Sequence, residues 1–128
     1  VHRAPGAPAP APAPAPGTAP GTAPLPEPSA VEVHHCQGPV PRHDEIDAML
    51  RADGLTPHAW ANVAGHAYAR HSHGYHKVLI CVRGTIVFHT DSGDVALSPG
   101  DRLELRSGVE HAATVGDGGV ECVEAYRT

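Results

Sequence analysis

Basic charge is scarce in this chain of 128 residues. Nine lysines and arginines stand against fourteen aspartates and glutamates, for a net charge of −5. Only one of the nine is a lysine, Lys77, and the nine form no cluster. A nucleic-acid surface needs a basic patch to neutralise phosphates, so no nucleic-acid partner is expected. Long apolar runs are also missing. The longest, Val78 to Val82, falls far short of the roughly 20 residues that cross a bilayer, so no membrane association is expected. The first residues, Arg3 followed by proline and alanine, lack the apolar centre of a secretory signal. Cysteine is limited to three residues at no metal-ligand spacing, which reads as reduced thiols in a cytoplasmic protein. Aromatics are few as well, with one Trp, one Phe and three Tyr, so a core has to be built from aliphatic side chains.

Proline, by contrast, is concentrated. Ten of the fourteen prolines lie in the first 28 residues, mostly in the Ala-Pro alternation from Ala7 to Pro16. Such a segment has almost nothing large to bury and loses a backbone donor at every proline. Residues 1–28 are therefore expected to be a disordered, polyproline-like tail. Residues 29–128 are left to fold, about the size of one domain. The heavy use of Ala, Gly, Pro and Arg suggests a bacterial source.

Within that domain, residues 31–36 (VEVHHC) alternate in polarity and predict a short strand. A helix is expected over residues 42–53, where Ile46, Met49 and Leu50 share one face by spacing. Asp44, Glu45 and Asp47 suit the positive end of its dipole. Gly54 fits the left-handed position beyond its end, with Leu55 folding back. From Thr56 onward short strand-like segments are separated by turn signals: Gly65, Ser72–Gly74, Gly84, Asp91–Gly93, Pro99–Asp101, Ser107–Gly108 and Gly116–Gly119. That spacing predicts an all-β sandwich or barrel. Residues 77–83 (KVLICVR) are apolar on both faces, so something must cover each face. The N-terminal strand or a second subunit could supply the second cover, and a homodimer is expected.

Histidine is the residue in excess. There are eleven, five of them between His58 and His76. His71 and His73 are two apart, so on a strand both imidazoles face the same way. His111 follows the Ser107–Gly108 turn and could bring a third imidazole from a neighbouring strand. Three imidazoles suit a divalent metal. A rim of solvated histidines is the structural alternative.

These residues also carry a family resemblance. Gly65, His71, His73, Lys77 and Gly84 keep the spacing of the first cupin motif, and Gly100, Arg106, Gly108, His111 and Val115 keep that of the second. The fifteen residues between Gly84 and Gly100 resemble the shortest, microbial form of the family. The resemblance implies an all-β, double-stranded β-helix (a jelly roll), here preceded by the short helix and the tail. It also implies that the metal ligands fall on His71, His73, His111 and the position of Lys77. The last departs from the family's glutamate, since an ammonium has donors and no acceptor. Three outcomes stay open: a three-histidine metal site, a site completed by His76, or a metal-free cluster that binds an anion. Strand parity points His76 to the face opposite Lys77.

Two functions follow from this resemblance. One is a metal-dependent enzyme of oxygenase or isomerase type, with Fe, Mn, Ni or Zn on His71, His73 and His111. In that reading Lys77 faces a small anionic substrate. The other is a metal-free binding or sensor module with Lys77 as counter-charge. A structural role for Lys77, an internal ion pair with Glu104 or Glu124, stands beside both. Arg106 reads as a solvated surface residue. Cys81 and Cys122 read as small buried hydrophobes. His89 could face either pocket or solvent, and none of the remaining histidines is expected to be a ligand.

Overall fold

Helix α1 (His43–Ala52) forms where the apolar spacing places it, and it is tied at both ends. The Arg42 backbone N–H donates to the Glu45 carboxylate at 2.8 Å. At the other end Gly54, at φ 81°, lets the Gly54 and Leu55 N–H groups reach the carbonyls of Arg51 and Leu50. Only part of the expected apolar face is used: Ile46 and Leu50 are fully buried, whereas Met49 is 46 % exposed. Spacing alone overstated the width of the stripe.

The computed structural model describes residues 30–127, and the expectation of a disordered tail over residues 1–28 lies outside the described residues. Around α1 the chain is all strand: β1 (Val31–His34), β2 (His58–Asn62), β3 (Ala67–His71), β4 (His76–Thr90), β5 (Gly93–Leu97), β6 (Arg102–Leu105) and β7 (His111–Arg127). All strand pairings are antiparallel. The order β1-β6-β4-β7-β2 is joined by β5 beside β4 and β3 beside β7. The two long strands serve both walls of the jelly roll. The first half of β4 pairs with β6 and its second half with β5. The last part of β7 pairs with β2 and its first part with β3.

Two of the expected turns are therefore bends inside strands. Near Gly84 the β4–β7 register shifts twice, between Cys81 and Arg83 and between Gly84 and Ile86. Bulges of this kind turn a strand without ending it. Gly84 sits at φ 79°, and a Cβ there would lie 2.0 Å from the Gly119 carbonyl oxygen. The glycine is thus required by a close backbone approach across the bend.

The inward faces of both walls form one mainly aliphatic core around Leu79, Ile86, Leu97, Leu103 and Leu105, with Phe88 and Trp60 as its buried aromatics. On the outer face, Val78 and Ile80 of β4 and Val123 and Ala125 of β7 pack under Ile46 and Leu50. Helix α1 supplies the second cover that the doubly apolar strand requires. Burying one such side chain stabilises by about 1.5–3 kcal/mol, so the helix is fixed mainly by this contact. Among the described residues no helix is long and apolar enough to cross a membrane.

Candidate metal centre

His71 ends β3 and His111 begins β7, and the register sets them directly opposite each other. His73 lies two residues beyond His71, in the link to β4, where its carbonyl accepts from the Gly108 N–H at 2.8 Å. That bond ties the two turns at this mouth of the barrel. The three rings are 4.4 to 5.2 Å apart between centroids. One ligand nitrogen from each lies within 4.8 Å of the others.

The protons are arranged for that convergence. His71 Nδ1 is 2.7 Å from the Ala69 carbonyl, and His111 Nδ1 is 3.0 Å from the Val109 carbonyl. A carbonyl only accepts, so in both rings Nδ1 carries the proton, and in the neutral ring Nε2 is left with a lone pair. His111 is 2 % exposed, and its Nε2 has no hydrogen-bond partner among the described residues. A buried polar atom without a partner is costly unless something fills the position. His73 differs. Its Nε2 is 3.1 Å from Nε2 of His71, and its Nδ1 is 3.0 Å from the Tyr75 hydroxyl. Since His71 Nε2 can only accept there, His73 Nε2 donates, and its Nδ1 accepts from Tyr75. The Tyr75 hydroxyl can equally accept, so His73 can move its proton to Nδ1 and bare the third Nε2.

Electrostatics keep the buried rings neutral. Burial, reinforced by the Lys77 ammonium and the neighbouring imidazoles, pushes His73 down to about 3. Burial lowers His111 to about 4, against the hydrogen bond to Val109 and with help from Lys77. Histidines of an unfolded chain titrate near ~6.5. The metal-free fold therefore has full stability from these groups above that value and loses it as protons bind the unfolded chain preferentially. In chelator, the unfolding free energy should fall steadily from about pH 6.5 to pH 5, above the range of ordinary carboxylates. Urea denaturation at several pH values checks this, and a flat profile over that interval would contradict it.

Lys77 points inward as parity requires and is 4 % exposed. Its Nζ lies 3.4 Å from Glu124 Oε1, a carboxylate with 0 % exposure. The same oxygen accepts from the Trp60 indole N–H at 2.9 Å, and the other oxygen from the Tyr126 hydroxyl at 3.1 Å. Of the two partners considered for Lys77, Glu104 is on the outer face, bound to His76 at 2.7 Å and to Arg102. His76 is thereby turned away from the cluster. His89 also faces outward, held by Asp94 and Thr114. Arg106 is exposed and Val115 joins the core.

Tyr75 and Tyr126 were not singled out from the sequence. Their rings pack 4.4 Å apart, linking the His73 side of the cluster to the Glu124 side. The signal was there in part: Tyr75 lies two residues from both His73 and Lys77, and Tyr126 two from Glu124.

The family model of the AraC-like ligand binding domain matches residues 59–123, just over half of the 128 residues. The chain belongs to this family. Solved structures agree on the fold of this AraC-like domain. A cupin superfamily protein from Desulfitobacterium hafniense DCB-2 aligns with a TM-score of 0.51 and 14% identity, covering 75% of each chain. An RmlC-like cupin from Shewanella frigidimarina NCIMB 400 gives 0.51 and 22%, over 58% of this chain and 67% of that one. The DMSP lyase DddQ from Ruegeria pomeroyi DSS-3 gives 0.54 and 24%, over 58% of this chain but 38% of the lyase. At these identities the likeness establishes the cupin jelly roll. No curated protein sequence matches the chain significantly.

Proposed function

We propose that this AraC-like domain is a metal-dependent binder of a small anionic molecule, with a divalent ion held by His71, His73 and His111. The observation that carries the reading is the buried His111 Nε2, which has no hydrogen-bond partner among the described residues and lies in a cluster whose ligand nitrogens are within 4.8 Å of one another. Neutral imidazoles suit Zn, Fe and Ni, with Mn the remaining candidate. When bound, such an ion supplies a Lewis acid with positions left open for an exogenous ligand.

The chain's own residues shape what enters. The Ala69 and Val109 carbonyls hold the His71 and His111 rings in register, and the Tyr75 hydroxyl accepts a hydrogen bond from His73 Nδ1 once the His73 proton has moved there. Lys77 has three donors, and its pairing with Glu124 uses one. Because that pair is neutral as a unit, three imidazoles and a divalent ion leave a net positive site, which favours a carboxylate or enolate ligand. Whether such a ligand is converted or only held separates an oxygenase- or isomerase-type enzyme from a sensor.

A second reading is a metal-free ligand-binding module. It is favoured by the family's description and by Lys77 standing where cupins place a metal-binding glutamate. Elemental analysis of untagged protein, purified without chelators or a metal column, decides between them. The metal reading expects close to one divalent ion per chain. Metal-free protein that cannot be loaded, yet is stabilised by small carboxylates, would overturn it in favour of the second.

A further inference from the structure

Cys81 of β4 and Cys122 of β7 are directly opposite each other in the ladder. Both are fully buried, free and part of the barrel core. The Cys81 N–H donates to the Asp101 carbonyl at 3.0 Å, and the Cys81 carbonyl accepts from the Gly100 N–H at 2.8 Å. Both polar groups of Cys81 thus point away from β7. Cys81 and Cys122 therefore form a non-hydrogen-bonded pair, the kind in which opposed Cα atoms stand about 4.5 Å apart and side chains are closest. That separation lies inside the range a disulfide spans, roughly 4.4–6.8 Å. The Cys81 thiol lies against the carbonyls of its own strand's bend, at 3.4 Å from Gly84 and 3.7 Å from Arg83.

We propose that Cys81 and Cys122 are a redox-modification site, at which hydrogen peroxide converts the opposed thiols into a reversible cross-strand disulfide within the barrel. The sulfur of Cys81 attacks one peroxide oxygen, the O–O bond breaks, and a sulfenic acid and one water result. The sulfur of Cys122 then attacks the sulfenic sulfur, the S–S bond forms, and the second water leaves. Two thiols are oxidised and one peroxide is reduced. The thiols are unequal in the required sense. The adjacent Cys122 thiol holds Cys81 below the ordinary thiol range, while Cys81 and burial push Cys122 up, so Cys81 is the attacking group. Burial restricts the oxidant to a small molecule. The third cysteine, Cys36, is elsewhere, with its Sγ against the carbonyls of Gly38 and Pro39.

The site has its own reporter. Trp60, the chain's single tryptophan, is opposite Cys122 on the other side of β7, and disulfides quench indole fluorescence. The experiment treats the full chain, and a Cys36→Ala variant, with hydrogen peroxide, then denatures, alkylates and measures intact mass and linked peptides. The expected product is lighter by two hydrogen atoms, carries a peptide linking Cys81 to Cys122, shows dimmer Trp60 emission and reverts with dithiothreitol. Cys81→Ala and Cys122→Ala should give no internal link. The cross-link ties the two long strands together, so the oxidised parent should also melt at a higher temperature. Full alkylation of both thiols after peroxide would overturn the proposal. So would stable oxygen adducts on either sulfur without the link. Peptide mapping of the parent keeps the test decisive even if an alanine variant does not fold.

Discussion

Replacing Lys77 with methionine should lower the unfolding free energy by about 3–5 kcal/mol, the usual cost of breaking a buried ion pair from one side. The reason lies with Glu124. Its carboxylate has no exposure and depends on three donors: the Trp60 indole, the Tyr126 hydroxyl and the Lys77 ammonium. Methionine keeps the length of the lysine and removes its charge, leaving a buried carboxylate with two neutral donors. Lys77→Glu should cost more, because it adds a second carboxylate beside the first. Lys77→Met combined with Glu124→Gln should recover part of the loss, since the pair is then removed together. Urea unfolding of the parent and the three variants measures all of this. A Lys77→Glu protein with parental stability and tighter metal binding would show that Lys77 serves the bound ligand rather than Glu124.

His111→Ala, His71→Ala and His73→Ala should each lower divalent-metal affinity by more than the roughly 10–100-fold typical of losing a partner behind a ligand. Each change leaves two imidazoles and an incomplete face. His34→Ala, His43→Ala and His58→Ala should leave metal content at the parental level. Those three side chains serve other contacts: His34 lies near Glu32, His43 bridges Asp47 and Glu121, and His58 stacks on Tyr126. Metal content of the six variants and the parent, measured side by side, checks the expectation. Equal metal in His111→Ala and the parent would remove the three-histidine centre.

Much of this architecture is written in local pattern. The helix and the inward aim of Lys77 and Cys81 follow from periods of 3.6 and 2, and the Gly54 ending from the left-handed backbone that glycine adopts. Parity paired His71 with His73, but only His71 lies on a strand, and His73 is set by the turn that Gly108 ties down. The turn before His111 made it a possible third ligand and the family motif strengthened it, while its place opposite His71 is a matter of register between strands forty residues apart. The same kind of information was lacking elsewhere. Residues 77–83 showed that both faces are covered, but which element covers the outer one is a tertiary fact, and it is α1. Gly84 and Gly116–Gly119 read as turns because a bulge inside a long strand uses the same residue. The choice of Glu124 over Glu104 follows from the face each occupies on its strand, which the spacing of Lys77 alone does not fix. The pairing of Cys81 with Cys122 likewise depends on ladder register.

The proposed function requires one divalent ion on the Nε2 atoms of His71, His73 and His111. X-ray absorption at the edge of the bound metal tests it most directly. The expected first shell contains three imidazole nitrogens, at about 2.0–2.1 Å if the metal is zinc, completed by oxygen, with the imidazole signature weakened by one ring in His111→Ala. A shell with sulfur scattering at about 2.3 Å, or one of oxygen atoms without imidazole, would contradict it.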